Sequence, residues 1–125
     1  MLASTLARHS FLRLTTFRKT GEAVPTTVWF AVAGDDAAYF FTGPETGKAK
    51  RLRNNPNVEI APSNPRGEPR GPSQKATARM LRGAETETAH RALARKYGIQ
   101  WKLLELVARW RGWQHVFYEL TAASE

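Results

Sequence analysis

The stretch FLRLTTFRKTGEAVPTTVWFAVAGDDAAYFFTG, Phe11 to Gly43, holds three runs of β-branched and aromatic residues parted by two turn signals. FLRLTTF reads as a first strand, and RKTGEAVP supplies a turn in which Gly21 can take a positive φ. Thr26 to Ala33 and Ala37 to Phe41 read as the second and third strands, joined at GDD. The chain is therefore expected to open as a three-stranded antiparallel meander. Asp35 and Asp36, a formal carboxylate pair, are explained by that turn rather than by acid and base work.

After Thr42 the period changes. Ala49 and Leu52 fall on one helical face, Lys48 and Arg51 on an adjoining one, and Asn55-Pro56 stops the run, which predicts a basic helix of about three turns. NVEIAP reads as a fourth strand, SNPRGEPRGPS as an irregular loop, and QKATARMLRG as a fifth strand. Ala89, Ala92, Leu93 and Tyr97 predict a helix over 85–97 that Gly98 closes in the left-handed conformation. Trp101 to Trp110 form a second helix and WQHVFYEL a last strand. Six strands with few helices imply a small β-barrel or a strongly curled sheet.

With 125 residues, 42% of them hydrophobic, the chain suits one domain over 1–125. It has no cysteine, which excludes disulfides and thiolate metal sites, and a reducing cytoplasm is the simplest home. MLASTLARHS lacks a signal-type apolar run, and no stretch of about 18 apolar residues occurs, so a soluble protein without a membrane span is expected. The net charge of +8 favours polyanionic partners: nucleic acid, anionic lipid, or a phosphorylated, carboxylate-rich small molecule.

TGPETGKAKRLRNNP, Thr42 to Pro56, has the look of a phosphate loop. As a nucleoside triphosphatase motif it fails, because Gly43 and Gly47 are one residue too close and Ala49 stands where a magnesium-holding Ser or Thr is needed. Its strand also belongs to a meander, not a parallel βαβ unit. A helix N-terminus with Lys48 in its first turn still suits a phosphate, against the plain alternative of a solvated basic helix. His9, His90 and His115 share no metal-ligand or triad spacing. Trp101 and Trp110 are expected in the core or at a dimer contact. Arg66 and Arg70 are candidates for gripping carboxylates or phosphates, although a solubilising loop explains them too.

LTTFRKTGEAVPTTVWF, then YFFTGPETGKAKRLRNNPNVEIAP, then ATARMLRG together resemble the pyridoxamine-phosphate-oxidase-like split-barrel superfamily. More narrowly they resemble its deazaflavin (coenzyme F420) dependent oxidoreductases, subgroup B. The likeness runs from about Phe11 to Leu120 and rests on the ordered set rather than on one motif. It implies a mainly β (β+α) fold: a six-stranded antiparallel split β-barrel, with a short basic helix after strand 3 and two helices before the last strand. It also implies a homodimer with the cofactor in a cleft at the interface.

In that pattern Thr26, Thr27, Val28 and Trp29 lie near the cofactor ring, alternate side chains facing opposite ways. Phe41, Thr42, Gly47 and Lys48 match positions that hold its phosphate, with Lys50 and Arg51 as neighbours. Two departures disfavour pyridoxamine phosphate oxidation: Gly47-Lys48 replaces the usual Arg-Lys pair, and WQHVFYELTAASE lacks the arginine-bearing ending. The resemblance thus implies an F420-dependent oxidoreductase, with FMN as the alternative cofactor, no catalytic side chain assigned and no metal. Arg51, Arg66 or Arg70 are candidates for the cofactor's acidic tail. A non-catalytic carrier is the second class. A nucleic-acid binder is the third, disfavoured because the cations are spread over several elements and no recognition module appears.

Overall fold

A computed structural model describes residues 6, 9–34 and 37–123. Its elements are β1 (Phe11–Phe17), β2 (Ala23–Ala33), β3 (Ala37–Thr42), α1 (Gly47–Asn54), β4 (Asn57–Ser63), β5 (Gln74–Met80), α2 (Glu85–Tyr97), α3 (Ile99–Arg111) and β6 (Val116–Ala122). The six antiparallel strands close into a barrel in the order β1-β2-β3-β6-β5-β4. The expected fold class and the opening meander are therefore present. The Asp35-Asp36 turn lies outside the described residues, but Gly21 and Gly34 take the positive φ, 92° and 66°, that the two turns require.

Alternation along the strands fills the barrel. Leu12, Leu14 and Thr16 of β1 point inward with Val28 and Phe30 of β2, Ala38 and Phe40 of β3, Val58 and Ile60 of β4, and Tyr118 and Leu120 of β6. Leu52 of α1 joins this cluster, so the basic helix closes one end of the barrel with its apolar side. A second cluster lies outside the barrel, where Ala89 and Leu93 of α2 and Trp101 of α3 cover Ala31 and Tyr39. Truncating a fully buried aromatic such as Phe30 in a core of this kind costs about 3–5 kcal/mol.

Several boundaries differ from the sequence expectation. β2 begins at Ala23 rather than Thr26 and includes Pro25. The proline is tolerated because its nitrogen faces away from β1, where no ladder bond is needed. α1 has eight residues, about two turns rather than three, since Asn55 already leaves the helix in an extended conformation. Gly98 has a positive φ of 56° but a ψ of −121°, so it turns the chain from α2 into α3 instead of closing a left-handed cap. β6 starts at Val116, because Gly112 at the end of α3 is left-handed and a short loop intervenes.

The barrel is paired unevenly. β2 pairs with β3 only from Phe30 to Ala33, opposite Phe40 to Ala37. Beyond Phe40, β3 continues through Phe41 and Thr42 paired with β6 alone. The first half of β2, held by β1, thus parts from β3, and α1 follows directly from the departing strand.

Candidate functional site

The parting of β2 from β3 exposes backbone. The Arg18 N–H bonds the Glu22 carbonyl at the β1–β2 turn, so even-numbered residues of β2 face β1 along the ladder. At its far end the Tyr97 hydroxyl takes over where β1 stops, accepting from the Phe30 N–H at 3.0 Å. Alternation then turns the N–H and C=O groups of Thr27 into the gap, with Trp29 at its edge beside the last Phe30–Phe40 pair, while those of Thr26 and Val28 bond β1.

Side chains divide the same way. Val28 is buried in the barrel core, and the Thr26 hydroxyl donates to the Leu14 carbonyl at 3.3 Å. Thr27 and Trp29 face outward. The Trp29 indole stacks on Tyr97 with centroids 4.7 Å apart and planes 20° apart, and meets Phe41 edge-on at 6.4 Å. Phe41 in turn packs against Trp101 and His115. A wall of aromatic rings therefore continues outward from the split.

On the other side stands the first turn of α1. Thr46 caps it: its hydroxyl accepts from the Ala49 N–H at 3.3 Å and donates to the Gly43 carbonyl at 3.1 Å. Because that proton is spent, Thr42, 2.9 Å away, must donate to Thr46. Thr42 is buried and fixes the cap instead of offering its own proton to a ligand.

The first turn carries no acidic residue, although acids are favoured at the positive end of a helix. It carries Lys48 instead, half-buried, with its ammonium pushed below the ordinary value by burial and then by the like charge of Arg51. Arg51 folds back along the helix and donates from Nε to the buried Thr16 hydroxyl at 2.6 Å. Burial first, and then Arg18, push its guanidinium below its ordinary range as well. A Cβ at Gly47 would stand 2.8 Å from Nη1 of Arg51, so only glycine leaves that room without displacement. Lys50 is exposed on the opposite side of the helix from Lys48.

Two clefts adjoin this turn and the split. One of about 600 Å³ lies between the β3–α1 loop and the α3–β6 loop, lined by Thr46, Trp113 and His115 among others. His115 is half-buried, and desolvation lowers its imidazole below the ordinary value against the opposing pull of Glu105. A smaller cleft of about 190 Å³ is formed by Arg13, Thr27 and Arg66 beneath the 64–70 loop. Arg66 is already held by Glu68 at 3.1 Å, and the exposed Arg70 uses its backbone N–H on the Pro62 carbonyl.

The structure thus places Thr27, Trp29, Phe41, Gly47, Lys48 and Arg51 around the split and the adjoining turn. It turns Val28 away, gives Thr26 and Thr42 internal partners, and leaves Lys50 apart. Sequence reasoning missed Thr16, Tyr97 and His115. Thr16 had a visible signal, being a polar residue at a core-facing position of FLRLTTF. Tyr97 had none, since its contact with Phe30 joins residues far apart in sequence. Trp101 is in the core as expected, whereas Trp110 is 81% exposed, which removes the core for it and leaves the expected dimer contact untouched. Among the described residues no group of His and acidic side chains is placed to hold a metal.

No curated protein matches the chain in sequence. Solved structures share its fold at low identity. HutZ, the heme storage protein from Vibrio cholerae, is 14% identical with a TM-score of 0.72, over 99% of this chain and 89% of that one. ChuZ from Campylobacter jejuni is 16% identical with a TM-score of 0.70, over 97% of this chain and 51% of that one. A heme binding protein from Mycobacterium smegmatis is 20% identical with a TM-score of 0.63, over 96% of this chain and 49% of that one. The family model described as pyridoxamine 5'-phosphate oxidase matches residues 2–116, which span β1 to β5 and all three helices described above. By that match, the chain belongs to the pyridoxamine 5'-phosphate oxidase family.

Proposed function

We infer that this chain binds a flat, phosphate-bearing redox cofactor, the deazaflavin coenzyme F420 with FMN as the alternative, and serves as an oxidoreductase on an unsaturated small molecule. The observation that carries this reading is the first turn of α1. Lys48 and the folded-back guanidinium of Arg51 crowd the positive end of a helix that has no acid there, and each is held below its ordinary pKa by burial and by a like charge. An isolated chain gains nothing from that arrangement; a bound phosphate relieves it.

Lys48, Arg51 and the free N–H groups of the first turn would hold the phosphate, with Thr42 and Thr46 keeping the turn in place. Thr27 would meet the ring system through the backbone groups it turns into the split, with Trp29 at its edge. Trp29, Tyr97 and Phe41 would exclude water from one side of it. Bound there in its reduced form, a deazaflavin supplies a hydride to the acceptor. The 600 Å³ cleft is of a size that holds a small organic acceptor. Arg66 and Arg70 remain candidates for an acidic tail. A homodimer, with the partner closing the cleft, fits the same reading.

A second reading, a carrier that stores a planar cofactor without turnover, draws support from the likeness to a heme storage protein. One experiment separates these. The chain is titrated with F420, FMN and riboflavin by fluorescence, alongside Lys48→Ala, and reduced cofactor is then offered to a panel of quinones and enones. Tight binding of a phosphate-bearing cofactor, at least tenfold weaker in Lys48→Ala, is expected. Binding without turnover selects the carrier, and no binding of either cofactor overturns the reading.

A further inference from the structure

α3 has two apolar faces and only one of them is covered. Trp101 and Ala108 are buried against the rest of the chain, and Leu104 packs beside them. On the other side Ile99, Leu103, Leu106 and Trp110 are 73%, 56%, 61% and 81% exposed. Their spacing of four, three and four residues sets them in one stripe along the helix. Trp113, just past the helix, extends it. A helix apolar on both sides is ordinarily buried on both.

The charges beside the stripe indicate what covers it. Lys102, Arg109 and Arg111 are exposed on α3. The one acid of the helix, Glu105, is engaged by His90 of α2 at 2.6 Å and is not part of the outer rim. The Arg111 guanidinium lies 5.5 Å and 5.8 Å from the Trp110 and Trp113 ring centres. An apolar stripe ending in indoles and bordered by cations is the composition of a helix that lies in a bilayer interface. A second copy of the same face would bring two basic rims together, whereas lipid phosphates complement every cation in it.

We propose that the outer face of α3 docks the protein on an anionic lipid surface. Ile99, Leu103, Leu106 and Trp110 enter the headgroup boundary, and Lys102, Arg109 and Arg111 engage lipid phosphates. The contact is peripheral, since no described helix is long and apolar enough to cross a membrane. It is distinct from the residues proposed to hold the cofactor and shares only Trp113 with the neighbouring cleft.

The test floats the full chain with vesicles of phosphatidylcholine alone, or with a third of that lipid replaced by phosphatidylglycerol, at low and high salt. Each cation near the surface contributes about fivefold, so binding to the anionic vesicles is expected to exceed binding to the neutral ones by tenfold or more and to weaken with salt. Leu106→Gln is expected to lower the partition coefficient about tenfold or more, with an unchanged circular dichroism spectrum because the side chain is exposed. Lys102→Gln with Arg109→Gln is expected to remove most of the salt dependence. Equal recovery with both vesicles, no recovery with either, or binding indifferent to Leu106→Gln overturns the proposal. So does light scattering that shows a dimer which Leu106→Gln converts to a monomer, because the face then belongs to a second copy.

Discussion

Nη1 of Arg51 occupies the space that a side chain on Gly47 would need, 2.8 Å from where its Cβ would stand. A backbone position four residues away thereby decides where a guanidinium rests. In Gly47→Ala the flexible Arg51 yields and the fold is kept. Helix propensity even favours alanine by up to about 1 kcal/mol. Affinity for a phosphate-bearing flavin is expected to move the other way, falling about tenfold as one charge-assisted contact is lost. Thermal melting and a fluorescence titration on the same sample read the two opposed effects.

Tyr97 ends the β1 side of the sheet with one hydroxyl, which accepts from the Phe30 N–H at 3.0 Å and donates to the Ser10 carbonyl at 2.7 Å. Tyr97→Phe keeps the stack on Trp29 but leaves the Phe30 N–H unpaired. The expected cost is about 1–3 kcal/mol, measured as a shift of the urea midpoint without a change in slope.

Tyr118 presents the converse case. Its ring stacks on Phe40 with centroids 5.1 Å apart, while its hydroxyl is buried with no hydrogen-bond partner among the described residues. Burial raises its pKa. Tyr118→Phe removes an unsatisfied polar atom at nearly constant shape and is expected to stabilise the protein by about 1 kcal/mol, seen as a rise in Tm.

Lys96 sets a dependence on pH. Its ammonium donates to the His9 carbonyl at 2.7 Å and lies 3.5 Å over the centre of the Phe30 ring. Burial nonetheless lowers its pKa from 10.5 to about 8. Between those values the unfolded chain holds a proton that the folded chain has released, so stability contributed by this group rises with pH across that window. Below about 8 the cost of burying the charge is fully present. Lys96→Gln is expected to flatten the slope in denaturant midpoints measured across the window.

Much of the barrel was legible in the sequence because strands announce themselves by local composition and turns by glycine. Pro25 misled, since a proline argues against a strand until the pairing shows which side its nitrogen faces. The helix start at Gly47 and Lys48 was legible, and Arg51 was named beside them, but the place its guanidinium takes was not. Its position depends on Thr16, 35 residues away, and on the absence of a side chain at Gly47. For Trp110 the sequence left core and dimer contact open, because periodicity identifies apolar faces without showing how many of them the fold covers.

The half of β2 that leaves β3 has a bearing on solubility. Backbone groups turned into a gap offer another polypeptide a template for strand addition, and through it a route to aggregation. Pro25 occupies that half and contributes no N–H toward the gap, which shortens the stretch another chain could join. Whatever occupies the split would also shield the edge, so an empty split would leave the protein more open to self-association.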